Sequence, residues 1–442
     1  MATSLRSAWT HTLRASPRAV ALYDAATSRK WTRSELAALG LDWAREHGRG
    51  LARQRIVFAE PNGPEWWRVF LGLIESDAMI VALDPGEPPE AQRRTAEGIG
   101  AAFLWQGGRL EGIGSVRRTS ARGTRLLKLT SGTTGRPRAL PFTDGQLLAD
   151  GRQVCASMGI NRTDVNLGCI PFGHSYGLGN LVLPLLLQGT PIVSGAALLP
   201  QGLAAAISRW RPTVFPAVPA LLRAMSEADI APSQLRSLRT VISAGSPLAP
   251  EVAKAFFQKF DRKIHNFYGS SETGGIAYDR TGDAALTGAS VGRPMSGVKL
   301  RFTAGRRFWV TSAAVTGAGR FRPADRGALN ARGELVLLGR AGRMLKIAGR
   351  RLDPAEIENA LCQLPGVDDA HVAAHGTRAD ALAAVVAGGI AGTELRELLR
   401  QRLAPWKIPK KIVVVRRFPL TARGKPDVGR LRALLADGGA GA

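Results

Sequence analysis

Cysteine and long apolar runs are the scarcest features of this 442-residue chain. Its three cysteines, Cys155, Cys169 and Cys362, are widely spaced and odd in number. They form neither a zinc-binding pattern nor a full set of disulfide pairs, so a reducing, cytoplasmic location is expected. No apolar run reaches the roughly 18 residues that a membrane-spanning helix needs, so no transmembrane segment is predicted. The nearest candidate, residues 178–193, is interrupted by polar residues and prolines and is predicted to be buried core.

Acidic residues are also few, since 35 Asp and Glu face 60 Lys and Arg and the formal net charge is +25. Such a charge raises the question of nucleic acid or an anionic membrane. The basic residues are nevertheless spread along the chain, and no helix-turn-helix pattern, zinc spacing or basic run interleaved with aromatics occurs. A general arginine bias explains the charge better, so no nucleic-acid partner is predicted. Only residues 301–351 concentrate arginine, which fits either a nearby phosphorylated ligand or a solvated basic face.

The order of apolar patterns along the chain indicates the fold class. Short apolar runs such as Thr240–Ser243 alternate with helical patterns through the first 260 residues, which predicts a parallel α/β sheet. From residue 290 to 340 the runs become short and are separated by Gly, Pro and Arg, which predicts a smaller β-rich region. Beyond Gly339 the pattern is that of a compact α+β module, with Gly342 where a linker would fall.

The densest polar motif spans residues 130–138 and combines hydroxyl side chains, glycines and arginines: Thr130, Ser131, Gly132, Thr133, Thr134, Gly135, Arg136 and Arg138. Glycine lets backbone amides turn toward an anion, while the hydroxyl and guanidinium groups add donors and charge. This chemistry suits a polyphosphate. The Walker pattern is excluded because no Gly-Lys-Ser/Thr follows at the required spacing. A plain Ser/Thr/Gly loop is the alternative.

A second motif, residues 266–275, places an aromatic side chain, a glycine turn, hydroxyls and a carboxylate in succession. Tyr268 can stack on a flat base, and Glu272 can hold a hard cation such as Mg²⁺. The Ser271 hydroxyl can donate to a phosphate oxygen. A turn with a capping glutamate is the alternative interpretation.

Four further positions are weaker when each is taken alone. The turn at Ala244, Gly245 and Ser246 suits a close backbone approach to a ligand. Asp325 can accept hydrogen bonds from both hydroxyls of a ribose, which Arg340 can also reach, although a turn residue is the simpler interpretation.

His174 lies between glycines and aromatics, where it can gate an acyl pocket or serve as an ordinary core histidine. Lys425 is a mobile point charge on a glycine-flanked loop, and a surface lysine is the simpler interpretation.

Taken in order, these motifs resemble those of the adenylate-forming enzymes, the superfamily of acyl-CoA synthetases, firefly luciferase and the adenylation domains of peptide synthetases. The resemblance covers nearly the whole chain. It implies an α/β fold with a large N-terminal domain of mixed and parallel sheets, a β-rich subdomain, and a small mobile α+β C-terminal domain. Residues 1–341 and 342–442 would form the two domains, with a hinge near Gly342.

The resemblance implies a role for each motif residue. The β and γ phosphates of ATP would be held by Thr130, Ser131, Gly132, Thr133, Thr134, Gly135 and Arg138. Adenine would be bordered by Ala244, Gly245 and Ser246 and contacted by Tyr268, while Asp325 and Arg340 would hold the ribose. Ser271 would contact the α-phosphate, and Glu272 would bind Mg²⁺. Gly349 would lie beside the pantetheine channel, and Lys425 would bridge the reacting carboxylate and the α-phosphate.

The implied reaction activates a carboxylic acid in two steps. The acid attacks ATP to give an acyl-adenylate and pyrophosphate, and a thiol then takes the acyl group. Coenzyme A is the expected thiol, and the phosphopantetheine of an acyl carrier protein is the alternative. A non-catalytic adenylate-binding protein is a further alternative, motivated by Arg138 where lysine is common, Gly342 at the hinge, and Pro323-Ala324 before Asp325.

The acid itself is predicted to be fatty or aryl. The candidate pocket residues are apolar or small, namely Tyr176, Ala217, Val218, Ala244 and Gly269. Amino-acid-activating relatives carry an aspartate early in the pocket, and residues 215–219 offer no match for it. The stretch Pro171–Gly179, which contains His174, resembles the Phe-His-x-x-Gly segment of acyl-CoA synthetases.

Overall fold

The computed structural model describes residues 2–114, 123–130, 138–340, 345–347, 350–352, 354–375, 381–403, 405–421 and 426–436. The side chains of Arg340, Lys346, Arg350, Arg351 and Trp406 are not included. The first third of the chain alternates helices and strands: α1 (Leu5–Ala15), β1 (Val20–Asp24), β2 (Lys30–Thr32), α2 (Arg33–His47), β3 (Arg55–Phe58), α3 (Pro64–Glu75), β4 (Met79–Ala82), α4 (Pro89–Gly98), β5 (Phe103–Gln106), β6 (Arg109–Gly112), β7 (Thr124–Thr130) and β8 (Arg138–Thr143).

The middle third continues this alternation and adds a π-helical turn at Leu178–Val182 and a 3₁₀ turn at Pro232–Leu235. Its elements are α5 (Asp144–Met158), β9 (Asn166–Leu167), α6 (Ser175–Gly177), α7 (Leu183–Gln188), β10 (Ile192–Ser194), α8 (Pro200–Trp210), β11 (Val214–Ala217), α9 (Pro219–Glu227), β12 (Thr240–Ser243), α10 (Pro250–Phe260), β13 (Ile264–Ser270), β14 (Gly274–Tyr278), α11 (Asp283–Thr287) and β15 (Arg293–Pro294).

The last part of the chain is richer in antiparallel strands and has 3₁₀ turns at Ala304–Arg306 and Pro405–Lys407. Its elements are β16 (Lys299–Thr303), β17 (Arg307–Thr311), β18 (Arg320–Phe321), β19 (Asp325–Leu329), β20 (Leu335–Arg340), β21 (Leu345–Ile347), β22 (Arg350–Leu352), α12 (Pro354–Cys362), β23 (Val367–His375), β24 (Ala381–Gly388), α13 (Gly392–Arg400), β25 (Lys411–Val415) and α14 (Val428–Ala436).

Two large sheets dominate the molecule. One has nine strands in the order β15-β14-β13-β12-β11-β9-β10-β1-β2, and the other has six in the order β6-β5-β3-β4-β7-β8. In both sheets the inner strands pair in parallel and the outer strands are antiparallel. The parallel pairs are β1–β10, β9–β10, β9–β11, β11–β12 and β12–β13 in the first sheet, and β3–β4, β3–β5 and β4–β7 in the second. Parallel strands need helical connections that cover both faces of a sheet, which the alternating sequence pattern predicts.

The predicted elements are recovered with small shifts in their ends. Strand β12 has the predicted bounds, and helix α3 begins at Pro64 because proline suits the first turn of a helix. Residues 178–186, predicted to be core, are all buried. None of the described helices is long and apolar enough to cross a membrane.

The smaller units follow. Strands β16–β20 form a five-stranded sheet, which is the predicted β-rich region, and β23–β25 form a three-stranded sheet. Apolar side chains of residues 345–435 pack in clusters of their own, separate from the main core. Two ion pairs join α9 to this last part, Arg223–Asp368 at 2.8 Å and Glu227–Arg417 at 2.7 Å.

Candidate active site

The carboxyl ends of the parallel strands β11, β12 and β13 lie at one edge of the nine-stranded sheet, where ligands of open α/β sheets bind. Ala217 pairs with Ser243 at the ends of β11 and β12. The predicted turn follows at once, because the Ala244 N–H donates to the Ala217 carbonyl at 3.2 Å. Gly245 has a φ of +92°, a conformation that favours glycine, and Ser246 continues the turn half-buried.

The hairpin between β13 and β14 carries Ser271 and Glu272 in its turn. The Ser271 hydroxyl oxygen accepts a hydrogen bond from the hydroxyl of Ser175 at 3.1 Å. The Glu272 carbonyl accepts the Thr316 N–H at 2.9 Å, and the Thr316 hydroxyl donates to the Pro141 carbonyl of β8 at 2.5 Å. The turn is therefore fixed by contacts with two other parts of the chain.

Tyr268 and Asp325 meet in space although they are far apart in sequence. The Tyr268 hydroxyl donates to the Asp325 carboxylate at 2.9 Å. Asp325 begins β19 and lies opposite Arg340, the last residue of β20. The structure thus brings together the residues predicted for adenine and ribose.

Thr130 and Arg138, which end β7 and begin β8, are paired in the antiparallel register. Residues 131–135 between them lie outside the described residues, as do Gly342, Gly349 and Lys425. Their predicted roles, like those of the other candidate site residues, stay predictions.

His174 is the N-cap residue of the short helix α6, and its ring Nδ1 accepts the Tyr176 N–H at 3.3 Å. The ring is exposed, so the alternative of an ordinary core histidine is wrong. Tyr176, by contrast, is buried; its ring centroid lies 5.7 Å from that of Phe267, and its hydroxyl donates to the Ile242 carbonyl at 3.3 Å. Burial raises the pKa of the Tyr176 phenol well above its ordinary value, so the ring stays neutral.

Glu272 is half-buried and has no ion-pair partner within 4 Å among the described residues. The described part of the chain also contains no cluster of three or more His, Cys, Asp or Glu side chains suited to a metal. Magnesium characteristically uses one or two protein carboxylates and completes its shell with water and substrate phosphates. A single carboxylate held in a rigid turn fits that mode of binding.

The sequence analysis missed one feature close to these motifs, a buried pair formed by Lys128 on β7 and Asp150 on α5. The Nζ–Oδ2 distance is 3.7 Å, and both side chains are at most 4% exposed. Burial lowers the pKa of the Lys128 ammonium and raises the pKa of the Asp150 carboxyl. The available signal was a lysine inside the apolar run Leu126-Leu127-Lys128-Leu129.

Comparison with known proteins gives two family matches. The AMP-binding enzyme family matches residues 116–303, and the AMP-binding enzyme C-terminal domain matches residues 356–425. Indoleacetate–CoA ligase of Aromatoleum aromaticum is 30% identical over 345 residues, covering 70% of this chain and 67% of the relative. Feruloyl-CoA synthase of an Amycolatopsis species is 28% identical over 340 residues, covering 70% and 69%.

Solved structures give the same picture of the fold. The anthranilate CoA ligase AuaEII, solved with anthranoyl-AMP, superimposes with a TM-score of 0.82 at 20% identity and covers 98% of this chain and 97% of its own. At this level of identity the match establishes the fold: an α/β protein with mixed sheets and an α+β C-terminal part.

Proposed function

Since the chain belongs to the AMP-binding enzyme family and is an AMP-forming acid–thiol ligase, we propose that its acid is an aromatic carboxylic acid and its thiol is coenzyme A. The coarser activity is the activation of a carboxylic acid as an acyl-adenylate. The alternative of a non-catalytic adenylate-binding protein is therefore set aside.

Tyr176 is the structural observation that favours an aromatic acid. Its buried ring packs on Phe267 of β13, and its hydroxyl donates to Ile242 of β12, next to the candidate pocket residues Ala217 and Ala244 at the ends of β11 and β12. A long acyl chain would need the interior volume that the Tyr176 ring fills, whereas a flat ring needs less depth and packs well against aromatic side chains. The two curated relatives and the anthranilate ligase are each named for an aromatic acid, which supports the same choice.

In the first step the acid's carboxylate oxygen attacks the α-phosphorus of ATP, and pyrophosphate leaves. The protein contributes mainly by positioning the reactants and stabilising charge. Tyr268 and Asp325, joined by their hydrogen bond, would orient adenine and ribose, and Ser271 would donate to the α-phosphate. Lys425 would stabilise the charge that develops between carboxylate and phosphate. Glu272 would hold Mg²⁺, which neutralises phosphate charge when bound.

In the second step the thiolate of coenzyme A attacks the acyl carbonyl, and AMP leaves. The C-terminal domain would rotate about Gly342, where glycine permits a large backbone change, and Gly349 would border the pantetheine arm. Residues 301–351 would offer arginines to the phosphates of coenzyme A.

The test is acid-dependent pyrophosphate release with hydroxylamine as the acyl trap, run over a panel of aromatic, fatty and amino acids. The proposal predicts a signal with aromatic acids that collapses in Lys425→Ala. A signal confined to fatty or amino acids would overturn the choice of acid. Silence across the panel, with ATP binding intact, would leave the proposed acid class without support.

The acceptor needs a separate assay, because hydroxylamine replaces the thiol. Purified coenzyme A and a phosphopantetheinylated acyl carrier protein would compete for the acyl-adenylate, and the products would be separated by mass. We expect acyl-CoA to dominate. Preferential loading of the carrier protein would show that the acceptor has been misassigned.

A further inference from the structure

Lys128 is a buried lysine among the leucines of strand β7. It lies on β7 two residues before Thr130, with its side chain 2% exposed. Its Nζ is 4.3 Å from the centroid of the Phe142 ring and 3.7 Å from the Asp150 carboxylate. Among the described residues no group lies within hydrogen-bond distance of this Nζ. A buried ion pair is weak support for stability, because desolvation offsets much of its attraction.

Asp150 contacts the other half of the phosphate region. Its Oδ1 accepts the Gly275 N–H at 3.2 Å. Gly274 has a φ of +67°, and a Cβ built there would lie 2.1 Å from the same oxygen, so the carboxylate packs directly against the backbone. A Cβ on Gly179, in the π-helical turn that follows the His174 segment, would lie 3.3 Å from Oδ2.

The pair therefore joins the strand that ends at Thr130 to the hairpin whose turn carries Ser271 and Glu272. We infer that Lys128 and Asp150 are positioning residues, which set the separation between the β7–β8 hairpin and the Glu272 turn for binding of MgATP. Burial is the largest influence and lowers the pKa of the Lys128 ammonium, whereas the carboxylates of Asp150 and Glu272 both act to raise it. This inference rests on the proposed function, in that both assign the phosphate chemistry to these two hairpins.

A matched control exists on the same strand and helix. Arg125 at the other end of β7 pairs with Asp144 at the start of α5 at 3.2 Å and with Asp77 at 2.6 Å. Its side chain is 15% exposed. Arg125→Met breaks an ion pair between the same two elements, but far from Thr130 and Glu272.

The experiment compares Lys128→Met, Asp150→Asn, the double variant and Arg125→Met in the full chain. Calorimetry gives the Kd for MgATP and for AMP, and thermal melting gives Tm. We expect Lys128→Met and Asp150→Asn to weaken MgATP about tenfold, as changes behind metal ligands do, while AMP binding is retained. The double variant should have a higher Tm than either single variant, because neither buried charge is left without its partner. Its Kd for MgATP should nevertheless remain raised. Arg125→Met should lower Tm without changing the ratio of the two Kd values.

Three results would overturn the inference. They are unchanged MgATP binding in Lys128→Met, a parallel loss of MgATP and AMP in that variant, and an equal loss of MgATP in Arg125→Met. Because MgATP binding needs no acid, this outcome is independent of the acid panel. Silence of the wild type in that panel would count against the proposed acid alone.

Discussion

The two large sheets contribute to the candidate site in different ways. The nine-stranded sheet carries small residues such as Ala217 and the Tyr268 side chain, and the buried phenol of Tyr176 on α6 donates to Ile242 of strand β12. One edge of the six-stranded sheet is the β7–β8 hairpin, in which Lys128 on β7 pairs with Asp150 of α5 and Arg138 begins β8. Under the proposed function, the base and the acid would be selected by shape, whereas the triphosphate would be held by charge, from Arg138 on one sheet and from Glu272 in the β13–β14 turn of the other. Variants of the charged residues should therefore change different constants from variants of the residues that shape the pocket.

The strongest expected break is Glu272→Gln, which removes the carboxylate from the turn facing the six-stranded sheet but keeps its size. The kcat/KM for acid-dependent pyrophosphate release should fall roughly 100-fold, as for loss of one preorganised electrostatic contact. A magnesium titration of the rate checks the reason. Glu251→Gln, an exposed carboxylate at the start of α10, is the control. Equal magnesium dependence in Glu272→Gln and wild type would contradict the role.

The next largest effect is expected for Asp325→Asn, which replaces the charged acceptor for the Tyr268 hydroxyl and for the ribose with a neutral amide. The KM for ATP should rise about tenfold, since a hydrogen bond to a charged group is worth about 1.5 kcal/mol. Tyr268→Phe keeps the ring and loses only the hydroxyl, so its effect should be smaller. The KM for the acid should stay constant in both variants, and a rise in that constant would show that the shape and charge functions are not separate.

A smaller effect on rate, but a change in specificity, is expected for Tyr176→Ala. The variant opens the volume behind β12 and β13, so the kcat/KM for larger acids should rise relative to that for the wild-type substrate. The change should be about 10-fold per added methylene, the discrimination that apolar pockets provide. Truncation of a buried ring should also cost about 3 kcal/mol of stability. Tyr176→Phe, which loses only the bond to Ile242, is the control. An unchanged acid profile in Tyr176→Ala would place the pocket elsewhere.

The smallest expected effect is the slow alkylation of the three cysteine thiols in the folded protein. Burial raises the pKa of Cys155, Cys169 and Cys362 to about 12 in each case, so at pH 8 roughly one thiol in 10,000 is ionised. Iodoacetamide at pH 8 should therefore label the folded protein very slowly, and all three sites should react after unfolding in urea. Rapid labelling of Cys169, whose thiol donates to the Pro216 carbonyl at 3.0 Å, would show that the nine-stranded side is open to water.

Much of the fold could be predicted because its signals are local. The run at Thr240–Ser243 is short, apolar and rich in β-branched residues, and it forms a strand with those bounds. The meeting of Tyr268 with Asp325 could be predicted only through the family resemblance. Nothing local in either segment relates residues 57 positions apart.

The Lys128–Asp150 pair could not be predicted because its partners belong to a strand and a helix that pack together only in the folded chain. Spacing along one helix or strand predicts neighbours on that element, not across elements. The position of His174 was also underdetermined. Glycines and aromatics on both sides suit a buried or an exposed ring, and the close packing of Tyr176 on Phe267 places the tyrosine inside and the histidine outside.

The strand order of the two sheets has a consequence for the timing of synthesis. All strands of the six-stranded sheet come from Arg55–Thr143, so that sheet is complete soon after it leaves the ribosome. In the nine-stranded sheet Leu22 on β1 pairs with Ile192 on β10, and at ribosomal speed the first must wait on the order of ten to thirty seconds for the second. The hairpin that carries Thr130 and Arg138 is therefore assembled before the β13–β14 hairpin that carries Ser271 and Glu272.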